Sequence, residues 1–278
     1  MTSEADIIDR IVADKRVEVE QRKRDEPIEA LRKRQGLIRT EQWSLVRSIL
    51  EGPRGPSAGG KRIQLIAEIK KATPSKGRLV ATLEHRAIAR TYTIGGAAGI
   101  SVLTESKYFQ GSIDFLFDCR VSIDGYYPGG RPAMLRKDFI FDPYQVYEAR
   151  AYGADAILLI VSIVNDDELR ELVRLAHELQ MECLLEVASE REVERALAVE
   201  ADLIGINNRD LRTFQVDLAV TERLRPLIPM DRVVVALSGV HERADVERMA
   251  AAGVHAVLVG ESLMTAKDVP AKMRELLV

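Results

Sequence analysis

Side chains able to move protons recur in this 278-residue chain at one kind of place, the end of a short apolar run. Glu68 and Lys70 close the run 63–69, Glu105 follows 100–104, Lys137 and Asp138 close 133–137, and Glu186 closes 182–187. Ser162 ends 156–162, Asn207, Asn208 and Arg209 follow 202–206, Ser238 ends 232–238, and Gly260 with Ser262 ends 255–260. Two lysines and two carboxylates (Lys70, Lys137, Glu68, Glu186) aimed into one mouth retune one another's proton affinity and can supply both acid and base near neutrality. Glu68 and Lys70 stand at i and i+2, so both leave the same side of a strand. One charged strand end can be a solvated rim residue; four ionisable groups on three runs argue for a site.

A second chemistry is anion binding. Ser238-Gly239-Val240 follows the seventh run and Val259-Gly260-Glu261-Ser262 the eighth. Glycine there lets backbone N–H groups approach phosphate oxygens at the start of a helix, the recurrent phosphate site of parallel barrels. Metal chemistry finds no support, because the histidines are scattered: His85 and His177 read as solvated helix faces, His255 precedes a strand, and His241 reads as a helix start. No dinucleotide glycine turn, phosphate loop or serine elbow occurs, so no cofactor is expected. Cys119 and Cys183 lie in unrelated contexts and read as packed thiols.

The elements that must position these groups are legible from period and punctuation. Eight short, nearly continuous apolar runs alternate with amphipathic stretches, the pattern of a parallel sheet covered by helices. Similar phrases, Gly153-Ala154-Asp155-Ala156 and Gly253-Val254-His255-Ala256, precede two of the runs, as a repeated helix-to-strand turn requires. Eight units favour a closed (β/α)8 TIM barrel, with an open doubly wound sheet as the alternative. Ahead of it, Ile8, Ile11 and Val12, then Pro27 before Ile28 and Leu31, then Leu45, Val46, Ile49 and Leu50 read as helices. The Gly/Pro-rich stretch 52–60 reads as a linker. The expected division is an N-terminal helical extension and linker at 1–60 and a catalytic barrel at 61–278.

Forty basic against forty-three acidic residues give a net charge of -3, with no global field for nucleic acid. No apolar run approaches the roughly 20 residues that cross a membrane, and the first ten residues carry no basic leader pattern, so a cytoplasmic protein is expected. The expected partner is a small phosphorylated substrate held locally.

These residues closely resemble the indole-3-glycerol phosphate synthase family from Ile8 to Leu277. The resemblance is carried by Ile66-Ala67-Glu68-Ile69-Lys70-Lys71-Ala72-Thr73-Pro74-Ser75-Lys76-Gly77, by Ser101-Val102-Leu103-Thr104-Glu105 with Tyr108-Phe109, and by Leu135-Arg136-Lys137-Asp138-Phe139. Leu185-Glu186-Val187, Ile206-Asn207-Asn208-Arg209-Asp210-Leu211 and Val259-Gly260-Glu261-Ser262-Leu263-Met264 complete it. It implies a substrate, 1-(2-carboxyphenylamino)-1-deoxyribulose 5-phosphate, that closes to an indole with loss of carbon dioxide and water in tryptophan biosynthesis. It further implies Lys137 as the acid on the reacting carbonyl, Glu186 as base, and Lys70 as second acid or carboxylate anchor. Glu68 would orient the lysines and Asn207 would bind the sugar hydroxyls. Thr73, Arg209, Ser238, Gly239, Gly260 and Ser262 would hold the phosphate, and Phe109 and Phe139 would pack on the anthranilate ring.

Two departures stand out. The family usually reads Ser-Glu-Ser-Gly at the seventh strand, where this chain has Ala236-Leu237-Ser238-Gly239. The segment 121–131 is longer and richer in turn residues than the family's; entering a strand from its N-terminal side, it reads as a surface loop or interface element. The competing readings are an isomerase of the same pathway, phosphoribosylanthranilate isomerase, and a non-catalytic or altered phosphosugar-binding barrel, which Leu237 alone favours. Docking to other pathway enzymes is left open by the sequence.

Overall fold

The computed structural model describes residues 7–35, 43–52, 63–124, 130–199, 201, 203–210 and 212–277. Three helices come first: α1 (Ile7–Asp25), α2 (Ile28–Gln35) and α3 (Leu45–Glu51). Barrel strand β1 (Gln64–Ile69) is followed by a two-stranded hairpin, β2 (Ala72–Thr73) and β3 (Gly77–Arg78), that the apolar pattern did not announce. Then come α4 (His85–Ile94), β4 (Gly99–Leu103), α5 (Ile113–Ile123), β5 (Ala133–Lys137), α6 (Pro143–Ala151), β6 (Ala156–Ile160) and α7 (Asp166–Glu178). The chain continues through β7 (Glu182–Val187), α8 (Glu190–Ala198), β8 (Leu203–Asn207), α9 (Ala219–Leu224), β9 (Val233–Leu237) and α10 (Arg243–Ala251). It ends with β10 (Ala256–Val259), α11 (Glu261–Met264) and α12 (Val269–Leu276).

The eight long strands close in the order β1-β10-β9-β8-β7-β6-β5-β4, all neighbours parallel. Closure, not an open sheet, is therefore the architecture. All eight expected runs are strands; the run 156–162 stops at Ile160, where a 3-10 turn over Val161–Ile163 takes over. Gly153 and Gly253, at φ of 91° and 84°, make the two repeated helix-to-strand turns, a left-handed conformation that glycine adopts without steric cost.

Alternation along each strand sorts the side chains into two cores. Ile66, Leu135, Leu158, Leu184, Val235 and Leu258 belong to the cluster that fills the barrel, while Leu65, Val102, Ile157, Leu185, Ile204 and Val257 belong to the one beneath the helices. Leu45 and Ile49 of α3 join the interior cluster at the N-terminal end of the strands. Gly99 leaves the space: a Cβ there would lie 2.7 Å from Leu45 Cδ1. Glu182, at the start of β7, fixes α3 by accepting from the amides of Leu45 and Val46 at 2.6 and 3.0 Å. Burial pushes the Glu182 carboxyl up, against the hydrogen bonds from Ser44 and these amides.

Two expectations change, and a third is not reached. His85 is not a solvated face: its ring stacks on Phe115 at 4.5 Å and meets Asp118 at 2.9 Å, because α4 and α5 pack side by side. The segment 121–131 is not one loop, since its first residues complete α5 and Arg131 is buried against Asp155; residues 125–129 lie outside the described residues. The linker expected at 52–60 lies, beyond Gly52, outside them as well. His177 is exposed on α7, as expected. No helix among the described residues is long and apolar enough to cross a membrane.

Candidate active site

The strand ends converge on a pocket of about 120 Å³. Its charged lining comes from strands β1, β5 and β7 and from the turns after β1, β5, β8 and β10. Glu68 lies on β1 and is nearly buried, and Lys70, one residue beyond β1, donates from Nζ to Glu68 Oε1 at 2.7 Å. Gly260 makes room for that carboxylate: a Cβ at 260 would lie 2.3 Å from Glu68 Oε1. Across the mouth, Lys137 Nζ at the end of β5 donates to Glu186 Oε2 of β7 at 3.3 Å. The other oxygen, Oε1, accepts from Asn207 Nδ2 of β8 at 2.7 Å. Asn207 Oδ1 in turn accepts from the Arg209 amide at 3.0 Å, so Glu186 is oriented from both sides while Lys137 stays the more open member. The site thus holds two ammonium–carboxylate pairs facing one cavity.

The apolar side is built from Phe109, Phe139, Leu103, Leu158 and Leu237. Phe109 and Phe139 face each other with centroids 6.4 Å apart and planes tilted by 43°, a wall suited to an aromatic ring. Glu105 builds this wall without entering the mouth: its buried carboxylate accepts from the amides of Lys107, Tyr108 and Phe109 at 2.7 to 3.0 Å. The strand-end carboxylate at Glu105 is therefore a loop anchor, not a reacting group.

Asp138, adjacent to Lys137, has a similar fate. Its oxygens meet Lys15 of α1 at 3.1 Å, Thr104 Oγ1 at 2.6 Å, Arg136 at 3.2 Å and the Phe139 amide at 2.9 Å. Burial opposes its ionisation, but Lys15, Arg136 and these hydrogen bonds hold its carboxyl below the usual carboxylate range. Asp138→Asn should cost about 3–5 kcal/mol at neutral pH, the cost of breaking a buried pair. A depressed folded pKa gives stability present above the unfolded value and lost as pH falls through the folded one. The urea-unfolding gap between wild type and variant should therefore narrow below about pH 4; a gap independent of pH contradicts the assignment. Asn208 is structural too, its amide tied to the Ser238 carbonyl and to Thr221.

Of the expected phosphate residues, Thr73, Arg209, Ser238, Gly239 and Gly260 all line the mouth. Ser238 and Gly239 have φ of 63° and 83°, so two successive left-handed residues shape the turn after β9. A non-glycine residue held there stores strain, a feature common in ligand clamps. Ser262 stands apart, its hydroxyl donating to the Val240 carbonyl at 3.5 Å and outside the pocket lining. Sequence reasoning missed the apolar floor, although Leu237 and Leu258 share the inward parity of their strands, and it missed Glu261 and Pro74. A second cavity of about 600 Å³ meets the first at Glu186 and Asn207 and is bounded by Ile8 and Val12 of α1, so the N-terminal helix borders the mouth. Among the described residues no cluster of histidine, cysteine or carboxylates could hold a metal ion.

Comparison with known proteins agrees over the whole length. A sequence model described as indole-3-glycerol phosphate synthase matches residues 8–276. The chain is 48% identical over 276 residues to indole-3-glycerol phosphate synthase of Dehalococcoides mccartyi strain CBDB1, covering 98% of this chain and 100% of the relative. It is 43% identical to the enzyme of that name from Roseiflexus castenholzii, covering 97% of each. Among solved structures, thiamine phosphate pyrophosphorylase from Pyrococcus furiosus superposes with a TM-score of 0.57 at 18% identity, over 78% of this chain and 94% of that one. 3-Hexulose-6-phosphate synthase from Salmonella typhimurium does so with 0.59 at 12%, over 77% and 96%; these two speak for the barrel alone. Residues, geometry and relatives agree that the chain belongs to the indole-3-glycerol phosphate synthase family.

Proposed function

We propose that the two lysine–carboxylate pairs divide the family's reaction between them, with Lys137 and Glu186 at the reacting carbons and Lys70 and Glu68 at the aromatic carboxylate. The enzyme is a carboxy-lyase of tryptophan biosynthesis: it converts 1-(2-carboxyphenylamino)-1-deoxyribulose 5-phosphate to indole-3-glycerol phosphate. The ring carbon bearing the carboxylate attacks the ribulose C2 carbonyl, and the developing alkoxide takes a proton from the Lys137 ammonium. Cleavage of the C–CO2 bond returns its electron pair to the ring. Departure of the C2 hydroxyl as water then needs a proton donor, and loss of a proton completes the indole; Glu186, oriented by Asn207, is the base for that loss. Lys70 holds the leaving carboxylate or gives the second proton, and Phe109 and Phe139 flank the aromatic ring.

The observation that carries this reading is Glu186 held between Lys137 and Asn207 in the same mouth as the Lys70–Glu68 pair. Phosphate groups come to Ser238, Gly239 and Gly260, with Thr73 and Arg209 beside them. The direct test is indole absorbance and fluorescence after mixing purified protein with the carboxyphenylamino substrate; no chromophore above the blank rejects the activity. Inorganic phosphate tests the cradle separately. At ten times its dissociation constant it should stabilise the wild type by about 1.4 kcal/mol, and Gly260→Asp, which sets a carboxylate in the turn, should abolish the gain. Melting temperatures of both proteins that ignore phosphate equally would reject the cradle.

A further inference from the structure

The β2–β3 hairpin reaches over the phosphate end of the mouth, where Thr73 and Pro74 line the cavity. Lys76, in the turn just before the return strand β3, extends its ammonium to the carboxylate of Glu261. Glu261 directly follows Gly260, lines the same cavity and is 17% exposed, whereas Lys76 is 57% exposed. Burial opposes ionisation of Glu261, but Lys76, with His241 and Lys70 nearby, holds its carboxyl below the usual range. A carboxylate therefore stays charged beside the turn that receives the substrate's phosphate. Two anions a few ångströms apart repel unless a cation stands between them, and Lys76 is the cation already bound to one of the two.

We propose that Glu261 is a resident competitor of the substrate's phosphate for Lys76. In the free enzyme the carboxylate holds the hairpin's ammonium at the rim. An arriving phosphate draws that ammonium to itself, so Lys76 is a phosphate-binding residue and Glu261 a residue that weakens binding and favours release of the phosphorylated product. This rests on phosphate binding at Ser238, Gly239 and Gly260. It differs from a simple structural latch in the sign of one effect: a latch residue supports binding when present, and a competitor supports binding when removed.

The test is calorimetric titration of inorganic phosphate into wild type, Lys76→Met and Glu261→Gln, each checked for folding by its melting temperature. Lys76→Met should weaken phosphate about 2- to 5-fold, and Glu261→Gln should tighten it about 2- to 5-fold, the range expected of partly exposed charges. Product inhibition in the indole-absorbance assay should strengthen in Glu261→Gln in parallel. Weaker or unchanged phosphate binding by Glu261→Gln overturns the competitor role, and unchanged binding by Lys76→Met overturns the handover. A wild type that binds no phosphate rejects the placement of the phosphate itself and the inference with it. Binding by the wild type with insensitive variants rejects the inference alone.

Discussion

Lys137→Met should lower kcat by at least about 10²-fold, the contribution expected of a positioned general acid, or about 2.7 kcal/mol in the barrier. The side chain lies in the mouth and not in either apolar core, so its loss removes an ammonium without opening a cavity among the strands. Glu186 keeps its bond from Asn207, and the flanking Arg136 and Asp138 stay clamped on the outer side of β5. The melting temperature should therefore move by only a few degrees while turnover collapses. Lys70→Met is the informative companion. If Lys70 chiefly anchors the aromatic carboxylate, KM should rise more than kcat falls; a kcat loss equal to that of Lys137→Met with KM unchanged makes it an acid of the chemistry. Near-normal turnover in folded Lys137→Met removes this lysine from its role.

How far the sequence reaches follows from which interactions are local. Strand positions were legible because each buried strand is a short unbroken apolar run, and the inward parity of Glu68, Lys137, Glu186 and Asn207 follows from period two. Parity also marks Leu103, Leu237 and Leu258 as facing the mouth, yet an apolar residue at a strand end looks like core until closure shows that a cavity lies above it. Glu105 and Asp138 show the opposite limit. Both are strand-end carboxylates, and composition alone does not separate them from Glu186. Their partners decide: three successive loop amides for Glu105, and for Asp138 a lysine 123 residues away on α1. The Lys76–Glu261 pair spans 185 residues and joins the first and last units of the barrel, a neighbourhood created only by ring closure. Buried charge placed by distant chain is thus what the sequence hides.

Leu237→Glu should move the upper arm of the pH–rate profile toward higher pH, at the cost of a moderate loss of stability. Leu237 is both packed and pocket-facing. Leu237 is 1% exposed and belongs to the cluster filling the barrel, yet it also lines the catalytic pocket, because it sits in the last interior layer beneath the mouth. It stands beside Asn207 in register on one side and Leu258 on the other. Gly205 gives it room, since a Cβ there would lie 2.8 Å from Leu237 Cδ1. A carboxylate at 237 would therefore share the pocket with Lys70 and Lys137 and not enter a sealed interior. Added negative charge favours the ammonium form of a neighbouring lysine, so an acid that must be protonated stays competent to higher pH. Glu68 shows that the mouth tolerates such a group, being 2% exposed and bonded by Lys70 at 2.7 Å. With similar pairing the variant should lose less than about 2 kcal/mol, or roughly 4–8 °C in melting temperature for a chain of this size. An unpaired buried carboxylate would cost well beyond that. The pH dependence of kcat/KM and the melting temperature of wild type and variant decide together. A shifted upper arm with modest destabilisation supports the electrostatic role of this position, and an unshifted arm with a large stability loss reduces Leu237 to packing.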